Sequence, residues 1–127
     1  MKARAASLLS AADRAIAAAH RDLAASDGEA ASERARSAML RLAQASLDVD
    51  DVTPSRPEAI CVMYGQRFGR NGRLYSAYHR WLLDAADLHK AAAGGIADAI
   101  GLEAVVVAIE RSEIFRDAVA RFLERAG

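Results

Sequence analysis

The sequence predicts an all-α protein, an up-and-down bundle of four main helices with a fifth C-terminal helix. Three observations predict it. Alanine, the strongest helix former, is roughly a quarter of all residues. Apolar residues recur at spacings of three and four along most of the chain. Strand signals are nearly absent, because the one β-branched run, Val105, Val106 and Val107, sits inside helical periodicity.

The first helix is expected over about residues 3–25, where Leu8, Ala12, Ile16, Ala19 and Leu23 form one stripe. That stripe is mostly small, so a neighbouring helix can approach closely, and Asp27-Gly28 breaks it. The second is expected over about 29–47, with Ala31, Ala35, Ala38, Met39, Leu42 and Ala45 inward. An acidic loop with Asp48, Asp50 and Asp51 then leads to Pro54. Ser55-Arg56-Pro57-Glu58 reads as a capping box opening the third helix, with Pro57 in the first turn, where its missing N–H costs nothing. Gly69 and Asn71-Gly72 stop that helix near Phe68. The fourth is expected over about 73–93, with Leu74, Tyr78, Trp81, Leu82, Ala85 and Leu88 inward, ending at Gly94-Gly95. A linker over 96–101 leads to the fifth, over about 102–125, whose stripe is Leu102, Val105, Ile109, Ser112, Phe115, Val119 and Phe122. Short connections predict antiparallel neighbours in a single domain over 1–127, with no internal repeat.

Composition bounds the function. With 127 residues and 53% hydrophobic content the chain can bury a core and is not disordered. Formal net charge is zero and the pI is about 6.8, which argues against a dedicated non-specific nucleic-acid binder. The single Cys61 forbids an intramolecular disulfide and a multi-cysteine zinc site, and a free thiol suits a cytoplasmic location. No signal peptide or membrane span is read in the sequence, so no membrane partner is expected.

The unusual chemistry is concentrated in residues 59–83. This stretch has no acidic residue, five of the seven aromatics (Tyr64, Phe68, Tyr75, Tyr78 and Trp81), and Arg67, Arg70, Arg73 and Arg80. Those arginines, with the amides of Gly72 to Leu74 at an expected helix start, form a candidate phosphate or nucleic-acid site. The competing reading is a solvated surface turn. Tyr75, Tyr78 and Trp81 point in directions too divergent for one intramolecular face, and are assigned to a dimer interface. Base stacking is the alternative for them.

The order of these signals resembles the HEPN superfamily (higher eukaryotes and prokaryotes nucleotide-binding), in its small stand-alone bacterial form. The strings that carry it are Arg34-Ala35-Arg36-Ser37-Ala38-Met39 on the second helix, Tyr64-Gly65-Gln66-Arg67-Phe68 followed by Gly72-Arg73-Leu74, and Asp87-Leu88-His89-Lys90 on the fourth. The resemblance implies the helical fold and a homodimer. It also implies a place in a toxin–antitoxin or defence-type module that acts through RNA or beside a nucleotidyltransferase-type partner. In active members an Arg and a downstream His or Tyr serve RNA cleavage at the dimer interface. Here the aromatic pair expected on the second helix is Arg36-Ser37, the catalytic Arg aligns with His89, and its downstream partner falls near Ala93-Gly94. The resemblance therefore implies a non-catalytic or weakly active member.

Two alternatives stand beside that reading. One is an active metal-independent endoribonuclease using Arg73 with His79, or His89 as general base. The other is a structural or adaptor bundle with no nucleic-acid role. Arg14 and His20 show the same spacing as Arg73 and His79 but lie on the alanine-rich first helix. His20, His79 and His89 fall on different segments without metal-ligand spacing, so no metal and no cofactor is expected. Cys61, between Ile60 and Val62, reads as a buried structural thiol, and Lys90 is expected to point away from His89.

Overall fold

The structure is a computed structural model that describes residues 1–96 and 101–126. Among the described residues there are five α-helices and no strand: α1 (Ala3–Ala24), α2 (Gly28–Asp48), α3 (Pro57–Phe68), α4 (Ala77–Ala91) and α5 (Leu102–Ala126). A π-helical turn, Ala92–Ile96, follows α4 directly. The expected linker over 96–101 falls mostly on residues 97–100, which lie outside the described residues. None of these helices is long and apolar enough to cross a membrane.

α2 is the central element and packs against α1, α3, α4 and α5. The reason lies in its composition. Ala31, Ala35, Ala38, Met39, Leu42 and Ala45 are all buried, and the last turns from Leu42 to Asp48 are buried on every side. Small side chains on both partners let α1 lie close against it through Ala5, Ala12, Ile16 and Ala19. Asp27 caps α2 by accepting from the amide of Ala30 at 3.0 Å.

The main core is aromatic at its α3–α4–α5 end. Tyr64 stacks on Phe68 at 5.1 Å and meets the edge of Phe115 at 5.7 Å. Phe68 meets Phe122 at 5.6 Å, and Tyr78 lies 4.9 Å from Phe115. A smaller cluster of Ala19, Ala31, Ala35, Val105, Ala108 and Ile109 closes the other end.

Several local expectations are corrected. The capping box does not form: Arg56 is the N-cap of α3, with no side-chain cap bond, and Pro57 is the first helical residue. α4 begins at Ala77 rather than near Arg73. Residues between α3 and α4 instead form a turn organised by Asn71, whose amide donates to the Arg67 carbonyl and whose Oδ1 accepts from the Arg73 amide at 3.0 Å. Gly72 takes φ +75°, which a side chain would oppose. On α5, Leu102 is exposed rather than inward.

Candidate functional site

The arginines of the basic segment divide according to whether a carboxylate reaches them. Asp50, in the loop after α2, accepts from both terminal nitrogens of Arg73, at 2.9 and 3.1 Å. Arg67 joins the same carboxylate at 3.3 Å. The Arg73 guanidinium also lies 4.7 Å from the Phe68 ring centre and 5.4 Å from that of Phe122. The hydrogen bond from Arg73, with the charge of both arginines, holds the Asp50 carboxyl below its usual range. Arg80 pairs with Asp84 one turn along α4, at 3.0 Å. Of the four arginines singled out in the sequence, Arg70 alone forms no ion pair among the described residues. The expected phosphate cradle is also altered. The Arg73 amide is taken by Asn71, and no helix starts at Gly72 to Leu74.

The expected interface trio divides in the same way. Tyr78 is buried, turned inward onto Phe115. Trp81 is half-buried beside the Arg111 guanidinium at 5.3 Å. Tyr75 is 62% exposed and rests its edge on Tyr78 and Trp81, at 5.4 and 6.3 Å. The aromatic crowding is thus satisfied largely within one chain, because these rings step from the core to the surface.

The α3–α4 groove is the second region. At one end a cavity of about 520 Å³ is lined by Val62, Gly65, Gln66, Arg70 and His79. At the other end a cavity of about 530 Å³ is lined by Arg36, Pro57, Glu58, His89, Lys90 and Ala93. Cys61 and Leu83 line both, so the two cavities form one groove. The glycine of the Tyr-Gly motif has a physical reason here. A Cβ on Gly65 would come within 2.5 Å of His79 Nε2, so the imidazole occupies the space a side chain would need.

The three histidines do not converge with Arg73. His79 and Arg73 line separate cavities, Arg73 sharing its own with Gly72, Phe122 and Arg125. His89 Nε2 lies 3.1 Å from a carboxylate oxygen of Glu33 on α2, and its Nδ1 is buried without a hydrogen-bond partner. His20 faces Glu113 at 3.4 Å, and Arg14 is exposed. Among the described residues no His, Cys, Asp and Glu side chains group as a metal site would require.

Three groove residues depart from their expected settings. Lys90 lines the same cavity as His89 instead of pointing elsewhere. Arg36, where the resemblance led to an aromatic, also lines it, its guanidinium 3.9 Å from Glu33. Cys61 is half-buried in the groove rather than sealed in the core, and burial pushes its thiol up, away from a reactive thiolate. The helical spacing of His89 and Lys90 on α4 with Ala93 in the turn after it, and of Pro57, Glu58 and Cys61 on α3, was available as a signal. The side on which the two helices face each other was not.

Comparison of the chain with protein-family models, with curated proteins and with solved structures finds no match.

Proposed function

We propose that this chain is a HEPN-like helical protein that does not cleave RNA efficiently and works by binding, as one component of a toxin–antitoxin or defence-type module. The observation that carries the non-cleaving part is how the charged groups are used. Cleavage at a ribose 2′-hydroxyl needs a base to take its proton and a fixed cation against the phosphate. Arg73, the cation at the right sequence distance from His79, is spent on Asp50 and lines a different cavity. His89 presents neither nitrogen freely, since one faces Glu33 and the other is buried.

Support for the HEPN-like part comes from the sequence strings and from the helix order in which they fall, with Tyr64-Gly65 on α3 and Asp87-Leu88-His89 on α4. The reading carries a homodimer with it, in which exposed Tyr75, just before α4, and half-buried Trp81 on α4 offer surface.

Purified protein incubated with total RNA is expected to leave it intact, and so are His79→Ala and His89→Ala. Wild-type cleavage abolished by either substitution would overturn the reading and identify the catalytic histidine. Light scattering is expected to give a dimer, and a monomer at tens of micromolar would remove that part alone.

A further inference from the structure

We infer that the α3–α4 groove is a docking site for an acidic, aliphatic peptide segment of a partner protein. The inference rests on the reading of the chain as a binding component rather than a nuclease, and it names the partner chemistry.

Charge is the first support. At one end of the groove stands Arg70, and at the other stand Arg36 and Lys90. Arg70 and Lys90 form no ion pair among the described residues, and the Arg36 contact with Glu33 is long at 3.9 Å. Among the described residues Glu58 is the one carboxylate lining the groove. In a chain of zero net charge, every other arginine of the basic segment has found a carboxylate. The groove keeps positive charge that no described residue neutralises, and an acidic ligand would complement it.

The floor is the second support. Between the two charged ends lie Cys61 and Leu83, with Val62, Leu40, Pro57 and Ala86 beside them. Val62 is 57% exposed, so this chain leaves it uncovered. Among the described residues no Phe, Tyr or Trp lines the groove. Single-stranded nucleic acid is held by a cationic track with aromatic platforms for its bases. Here the cations are at the ends, the middle is aliphatic, and the platforms are missing. Tyr75 and Trp81 do not line it. An amphipathic peptide fits better, with aliphatic side chains on the floor and carboxylates at both ends.

Length is the third support. His79 and His89 mark the two ends on α4, ten residues apart in sequence, which at about 1.5 Å per residue is ~15 Å. That accommodates about three turns of a bound helix.

The test is selection of random peptides of about 12 residues, long enough for ~18 Å of helix, displayed on phage against the immobilised full chain. Selected sequences are expected to carry Asp or Glu near both ends and Leu, Ile, Val or Met between. Synthesised with a fluorophore, they should lose about tenfold or more in affinity for Arg70→Glu/Lys90→Glu. The same peptides should bind Arg14→Glu, altered on the exposed face of α1, as they bind wild type. Both reversed side chains are exposed and have no ion pair among the described residues, and circular dichroism checks that the variant folds. Amide shifts on peptide binding should fall on α3 and α4. A decauridylate should neither bind comparably nor displace the peptide. The inference is overturned by no enrichment, by enriched peptides lacking acids, by binding that survives charge reversal, or by displacement with the decauridylate. An RNA-cleavage assay on the same preparation is independent. Cleavage would remove the proposed function, while the peptide result would still decide the groove.

Discussion

Two regions of this protein draw on the same basic segment and use it oppositely. In the turn after α3, Arg67 and Arg73 converge on Asp50, and Arg73 also lies over Phe68 and Phe122. There, positive charge is a structural component. In the α3–α4 groove, Arg70 and Lys90 meet no carboxylate among the described residues, and aliphatic side chains lie open between them. The contrast teaches that a cationic stretch is informative only after its partners are known. Two residues separate Arg70 from Arg73, yet one is available to a ligand and the other is already bound within its own chain.

The largest expected effect tests how closed the turn region is. Phe68 is fully buried and touches Tyr64, Phe122 and Arg73. Phe68→Ala should cost about 3–5 kcal/mol in urea unfolding. A loss below about 1 kcal/mol would mean that this end of the core collapses around the gap, and that Arg73 is not held by the rings.

Gly65 sits on the boundary between the two regions, so its substitution is the next largest. Alanine favours a helix interior by about 1 kcal/mol over glycine. Against that, its Cβ would meet His79 Nε2 at 2.5 Å, and overpacking typically costs about 1–3 kcal/mol. Gly65→Ala should therefore be destabilising in net, by about 1 kcal/mol. The same change on a His79→Ala background should be stabilising, because the clash is gone. Thermal melts of the four proteins form the cycle. An unchanged effect of Gly65→Ala in both backgrounds would show that the imidazole does not occupy that space.

Much of the fold was legible because helices and their buried stripes are local patterns. The α2 stripe from Ala31 to Ala45 and the α5 stripe from Val105 to Phe122 are buried where periodicity places them. The errors came where a side chain chose between local and distant partners. Ser55 leads a sequence that matches a capping box, yet the chain enters α3 through Arg56. Arg73 looked like the start of α4, yet Asn71 takes its amide and Asp50, 23 residues away, takes its side chain. The groove was legible only in pieces. Cys61, His79 and His89 could each be singled out, but their sharing one surface with Arg36 and Lys90 depends on how α3 faces α4. Tyr64 shows the same limit. Its ring is core by pattern, but nothing local says that its hydroxyl is buried without a partner, where burial pushes the phenol up.

A smaller effect is expected from releasing the bound arginines. Asp50→Asn removes the charge that holds Arg67 and Arg73, at a site only partly buried, so a loss of about 1 kcal/mol is expected at neutral pH. The sign with pH follows from the direction of the Asp50 shift. Its folded carboxyl is held below the usual value of 3.8. The stabilisation is therefore fully present above that value and is lost as pH falls through the lower, folded one. Wild type and Asp50→Asn should thus differ in urea midpoint near neutrality and converge in acid. A difference that persists unchanged below the usual aspartate range would assign the loss to packing rather than to the ion pair.

The smallest stability effect belongs to the groove, and it is the one that separates the regions most directly. Arg70 and Lys90 are exposed and without ion pairs among the described residues. Surface substitutions of this kind usually change stability by less than about 0.5 kcal/mol. Arg70→Ala/Lys90→Ala should therefore unfold at the wild-type urea concentration, within that margin. Removing two unneutralised cations relieves whatever repulsion they carry, and that repulsion is weak across the groove at physiological salt because the ends lie farther apart than the ~8 Å screening length. A double alanine variant that loses 2 kcal/mol or more (about a 30-fold change in the folded ratio) would show that these side chains are bound within the fold after all, as Arg73 is. The groove would then be a second closed region, and its positive charge would no longer point to a partner.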